Sequence, residues 1–168
     1  AGSVSSSKRT LQLLGYGVGC RGWTVSVLIS PRNRSLRGAQ GNDKVEQLIV
    51  MLQSRPSIKQ GKVLLAGVSN GGMSALEIAQ RDPSRYLGVA AVPALFSAGD
   101  SDKKRVFERF PVYLRIGGQD QLGWADRFDA TVSSLTESGA RLDAEVLDGA
   151  PHMFRMDWST LGPWLEDL

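Results

Sequence analysis

A serine, an aspartate and a histidine stand in this chain where each could take part in acyl transfer. Ser69 lies between two glycines in Gly67-Val-Ser-Asn-Gly71, Asp120 closes Gly117-Gly-Gln-Asp120, and His152 ends Gly149-Ala-Pro-His152. An alcohol is a poor nucleophile until a base titrating near neutrality takes its proton, and the imidazolium so formed needs an anion to orient and stabilise it. His152 is the only histidine, so any imidazole chemistry falls to it. A lone histidine is more often structural, and an aspartate in such a turn more often caps the helix that follows. What favours the chemical role is that each residue follows its own strand. Asp148 is the fallback acid, closer to His152 in sequence; Asp100 and Asp102 are weaker candidates.

The elements that must position these residues follow from the apolar pattern. Val63, Leu64, Leu65 and Ala66 lack polar alternation and predict a strand over 62 to 68, buried on both faces. Gly67 and Gly71 suit a sharp strand-to-helix turn in which side chains would collide with neighbouring backbone. That turn lifts the Ser69 hydroxyl and aims the first amides of the next helix, from Asn70, at the space beside it. The helix is expected over 71 to 80, closed by Asp82-Pro83. Strands over 87 to 92, 111 to 116 and 142 to 147 follow, the last two ending just before Asp120 and His152. A helix from Gly123 or Trp124 to Ser138 separates them, and an amphipathic helix with Trp158, Leu161, Trp164 and Leu165 closes the chain.

Upstream, Trp23 to Ser30 reads as a strand of β-branched residues stopped by Pro31. A helix begins at Asn42 or Asp43 as N-cap, carries Val45, Leu48, Ile49 and Leu52 at helical spacing, and ends near Pro56. Alternating strands and helices predict a parallel sheet covered by helices, with ligands meeting the loops at the carboxyl ends of the strands. Arg32, Arg34 and Arg37 form a loop that is either solvated or faces an anion. The polar stretch 97 to 109, with Asp100, Asp102, Lys103 and Lys104, is a surface loop or a lid.

With 168 residues, one domain over 10 to 168 is the expectation, preceded by a low-complexity tail at 1 to 9. Twenty basic residues are scattered among 17 acidic ones for a net charge of +3. No basic stripe interleaved with aromatics occurs, so a nucleic-acid partner is not expected. The single cysteine, Cys20, allows no internal disulfide and fits a reducing compartment. No apolar run long enough for a transmembrane helix and no charged-then-apolar leader is visible, so a cytoplasmic location is expected.

The three motifs, Gly67-Val-Ser-Asn-Gly-Gly72, Ile116-Gly-Gly-Gln-Asp120 and Gly149-Ala-Pro-His152, resemble the nucleophile, acid and histidine motifs of the α/β-hydrolase superfamily, nearest its phospholipase/carboxylesterase-like esterases. Their order, serine, acid, histidine, is the order of that fold. The resemblance covers residues 23 to 168. It implies a compact α/β-hydrolase fold with a mostly parallel sheet of about five to six strands, the N-terminal strands reduced or missing. It also implies hydrolysis of a carboxylic ester or thioester through an acyl-Ser69 intermediate, with a small-molecule acyl substrate and without metal or organic cofactor. Leu122, Trp124, Met153 and Phe154 are placed to line an acyl pocket, though each such residue is more often core.

The family takes one oxyanion donor from the elbow, here the Asn70 amide, and another from a loop after an earlier strand. Leu14-Gly-Tyr-Gly17 looks like that loop with leucine where histidine is expected, making Tyr16 or Gly17 the other donor. A strand ending there would have to run parallel to 23 to 30 across only a few residues, whereas a parallel crossover needs about a dozen or more. Either the segment is the crossover helix and the oxyanion strand is absent, or the crossover helix is deleted, or residues between Gly17 and Trp23 are missing. A non-catalytic α/β-hydrolase-like binding domain is therefore the rival reading. A serine peptidase is a weaker third, because no substrate domain fits in this length.

Overall fold

Each long apolar run becomes a strand because its neighbours cover both of its faces. In the computed structural model of the protein, residues 16–28, 38–58, 62–97 and 105–168 are described. The tail 1 to 9, the strand expected from Thr10, the arginine loop 32 to 37 and the four charged residues at 100 to 104 lie outside them. Among the described residues the elements are α1 (Tyr16–Gly19), α2 (Ala39–Gln53), β1 (Val63–Gly67), α3 (Asn70–Arg81), β2 (Tyr86–Ala91), β3 (Pro111–Gly117), α4 (Phe128–Glu137), β4 (Arg141–Leu147) and α5 (Trp158–Glu166). Two short 3₁₀ turns, Pro83–Arg85 and Ala125–Arg127, precede β2 and α4.

The four strands form one sheet in the order β1-β2-β3-β4, and every pairing is parallel. Alternation along the strands splits the apolar side chains between two cores. Leu65, Val89, Ala91, Val112, Leu114 and Ile116 turn to one face, against side chains of α2, α3 and α4. Ala90, Val92 and Tyr113 turn to the other, against Leu161, Trp164 and Leu165 of α5. The central strands are buried on both faces, which is why they read as continuous apolar runs. β4 lies at the edge of the sheet, and its charged residues have work there. Arg115 of β3 is 3% exposed and pairs with Asp143 at 2.9 Å and Glu145 at 3.3 Å.

Three expectations change. Among the described residues no ladder forms over 23 to 28; Trp23 packs into the second core, while Val25 and Leu28 are 38% and 39% exposed. β-branched residues favour a pleated, half-buried surface, and among the described residues the segment has no paired neighbour to turn that preference into a strand. α2 starts a turn earlier than expected, with Gly38 as N-cap at φ 81°. Asn42 is buried inside the first turn and donates from Nδ2 to Glu77 Oε2 on α3 at 3.3 Å, so a tertiary partner replaces the capping role. The end of the 97 to 109 stretch is anchored rather than loose. The amide of Phe107 donates to the Ser138 carbonyl and that of Arg109 to the Gly139 carbonyl, both at 2.7 Å, and the Phe107 ring is fully buried.

Candidate active site

Ser69 sits between β1 and α3 with φ 56° and ψ −121°, a conformation that costs an L-residue of order 1–3 kcal/mol. The surrounding hydrogen bonds impose it. The Ser69 amide donates to the Pro93 carbonyl at 2.9 Å, the Gly71 amide to Val68 at 2.9 Å, and the Met73 amide to the Ser69 carbonyl at 3.1 Å. The two glycines of the motif differ in their reasons. A Cβ on Gly67 would overlap the backbone of Gly71, whereas one on Gly71 would meet nothing within 4 Å. The expected collision at Gly71 is thus absent. It falls instead on Gly72, whose Cβ would come within 2.8 Å of the Pro93 carbonyl oxygen.

That difference makes a prediction. Gly67→Ala forces backbone apart at the elbow and should destabilise the fold by about 1–3 kcal/mol or more. Gly71→Ala, in the first turn of α3, should leave stability unchanged or raise it by up to about 1 kcal/mol. Urea denaturation of the two variants side by side checks both.

Asp120 follows β3 in a turn stitched to the histidine loop. The Gly118 amide donates to the Leu147 carbonyl and the Gln119 amide to the Ala150 carbonyl, each at 2.8 Å. The Asp120 carboxylate is fully buried and both its oxygens are used. Oδ1 accepts from the Leu122 amide at 2.8 Å, and Oδ2 lies 2.7 Å from His152 Nδ1. His152 Nε2 lies 2.9 Å from Ser69 Oγ. An ionised carboxylate can only accept, so Nδ1 carries the ring proton and Nε2 is left to accept from the serine hydroxyl. The arrangement can take a proton from Ser69 as its oxygen attacks an electrophile. Asp148, the fallback acid, is not the carboxylate that meets the imidazole.

The other expected site residues divide. Asn70 opens α3, where the first amides have no intrahelical acceptor and the helix dipole favours negative charge. Tyr16 and Gly17 lie in α1, and Gly17 packs against the Trp158 indole so closely that a Cβ there would overlap the ring. Among the described residues no hydrogen bond joins either to the elbow. Leu122 and Met153 are 62% and 40% exposed, Phe154 packs into the second core, and Trp124 stands edge-on to His152, 4.9 Å between ring centres at 90°. None of the four lines the groove of about 300 Å³ that opens one helical turn from Ser69. Its walls are Met73, Glu77 and Gln80 of α3, residues 95 to 97, and Arg127. The Leu122 amide and the Gln119–Ala150 bond were not expected from the sequence. The paired glycines before Gln119 were the available signal of a tight backbone approach.

The family model that matches this chain is that of the Dienelactone hydrolase family, over residues 26–161. Among solved structures, a carboxylesterase from Mesorhizobium loti is similar with a TM-score of 0.74 at 15% identity, covering 98% of this chain and 85% of that one. SOBER1 F65L of Arabidopsis thaliana is similar with a TM-score of 0.62 at 18% identity, covering 76% of this chain and 63% of that one. A phospholipase/carboxylesterase from Dyadobacter fermentans gives 0.60 at 21% identity, covering 74% and 62%. The chain thus spans less than two thirds of the length of the last two. These likenesses show the fold, a parallel sheet flanked by helices.

Proposed function

The chain belongs to the dienelactone hydrolase family, and from that premise we propose that residues 10 to 168 act as one serine hydrolase domain cleaving a carboxylic ester or thioester of a small to medium acyl substrate. The observation that carries this reading is the continuous relay from Asp120 through His152 to Ser69, at 2.7 and 2.9 Å. Ser69 Oγ attacks the acyl carbon while its proton passes to His152 Nε2, and Asp120 stabilises the imidazolium. The tetrahedral intermediate collapses as the leaving alcohol or thiol takes that proton, leaving acyl-Ser69. Water then attacks the acyl carbon, its proton passes to Nε2, and Ser69 Oγ departs with that proton as the carboxylic acid is released. The Asn70 amide, at the positive end of α3, faces the oxyanion.

A second reading draws on the placement of Gly17 against Trp158. Were the Asn70 amide the one backbone donor for the oxyanion, the missing donor would cost about 2.7–4 kcal/mol, on the order of a hundred- to a thousand-fold in rate. On this reading the domain binds an ester-like ligand or a partner without turnover. A fluorophosphonate probe separates the two. The hydrolase reading expects labelling of the wild type that disappears in Ser69→Ala, together with turnover of nitrophenyl esters of graded acyl length. No labelling, or labelling that survives Ser69→Ala, would overturn it.

A further inference from the structure

We propose that Trp124 is a positioning residue for His152: the indole fixes the plane of the imidazole while Asp120, four residues earlier in the same turn, fixes its Nδ1. This rests on the hydrolase reading above and deepens it.

His152 lies in a stretch, 148 to 157, that has neither helix nor strand. Its two hydrogen bonds, to Asp120 Oδ2 and Ser69 Oγ, both lie along the ring. They resist sliding of the imidazole far better than tilting about the line that joins them. Pro151 and Met153 on either side are exposed, yet the His152 side chain is only 14% exposed. The Trp124 indole supplies cover at a ring-centre distance of 4.9 Å and an interplanar angle of 90°, an edge-to-face geometry favourable between π systems.

The indole can act as a wall because it is itself held. It packs against the main core together with Ala125 and Phe128, and the Trp124 backbone carbonyl accepts from the Arg127 amide at 3.1 Å. Asp120 and Trp124 ride on one turn. The Leu122 amide binds Asp120 Oδ1 at 2.8 Å, the Gly123 amide binds the Asp120 carbonyl at 3.1 Å, and Gly123 adopts φ +69°, which favours glycine. The turn therefore grips the imidazole at two points, by charge at its edge and by an aromatic ring set perpendicular to it. The sequence suggested instead that Trp124 lines an acyl pocket, and the two roles separate kinetically. A substrate wall acts on KM, whereas a misaligned base acts on kcat.

The test compares Trp124→Leu, which keeps apolar contact with the core, and Trp124→Phe, which keeps a flat ring. Ester hydrolysis by the leucine variant should lose about 10- to 100-fold in kcat with KM within about twofold, while the phenylalanine variant stays within about threefold of wild type. Because the chain has one histidine, its imidazole NMR signals need no assignment among rivals. The ring Nδ1 proton should be sharp in wild type and Trp124→Phe and broadened in Trp124→Leu, and nuclear Overhauser contacts should join imidazole and indole in wild type. A leucine variant with unchanged kcat and an unchanged imidazole signal, or one altered in KM alone, overturns the proposal. So does the absence of the indole contact in wild type, a measurement that stands even if the leucine variant does not fold. The spectra require no turnover. An ordered imidazole that loosens in Trp124→Leu supports the positioning role even in a chain that hydrolyses no ester, an outcome that retires the hydrolase reading alone.

Discussion

Ser69→Ala and His152→Ala should each bring kcat for a nitrophenyl ester to the same floor, and the double variant should fall no further. The nucleophile and its base act as a unit, so removing either removes the covalent path and nothing is left for the second change to remove. In a serine hydrolase with a complete oxyanion hole the drop is about 10⁶-fold. On the reading in which the Asn70 amide is the one backbone donor, the wild type starts lower by about 10²–10³-fold. The measured drops should therefore compress to about 10³–10⁴-fold. Asp120→Ala should cost less, about a hundred-fold, because the imidazole keeps its bond to Ser69 and loses only its orienting anion. Single-turnover rates of the four variants check the pattern. Additive losses in the double variant would mean that Ser69 and His152 do not act through one relay.

Much of this frame can be read from the residues because the information is local. The strands at 63–67, 86–91, 111–117 and 141–147 coincide with apolar or alternating runs, and their ends place Ser69, Asp120 and His152 on neighbouring loops. Where the reading departs from the structure, the deciding contact comes from far along the chain. Trp23 to Leu28 has strand propensity, but its aromatic residue finds the second core and no ladder. Asn42 has the chemistry of an N-cap, but Glu77 on another helix takes its amide. Leu122, Trp124, Met153 and Phe154 are alike as apolar residues near the motifs. Only packing separates the exposed Leu122 and Met153 from the buried side of Phe154 and from the indole beside His152.

Gly117→Ala should damage the site more than the fold. A Cβ at this position would overlap the carbonyl oxygens of Ala150 and Pro151, backbone atoms that no change of rotamer can move. Relief must come either from β3 or from the histidine loop. β3 is bonded along its whole length to β4, from Pro111 opposite Arg141 to Gly117 opposite Leu147, and its side chains fill both cores. The loop from 149 to 152 is held to the turn after β3 by two bonds, Gln119 to Ala150 at 2.8 Å and His152 to Asp120 at 2.7 Å. The loop is the weaker partner, so it yields and carries His152 with it. Overpacking of this kind costs about 1–3 kcal/mol, within what a domain with two filled cores can lose and still fold. A displacement of about 1 Å at the base is worth on the order of a hundred-fold in rate, so activity should be lost while the cooperative unfolding transition persists. Urea denaturation and kcat measured on the same preparation decide the matter. Full activity in Gly117→Ala, or unfolding with no folded fraction, would show that the strand and not the loop gives way.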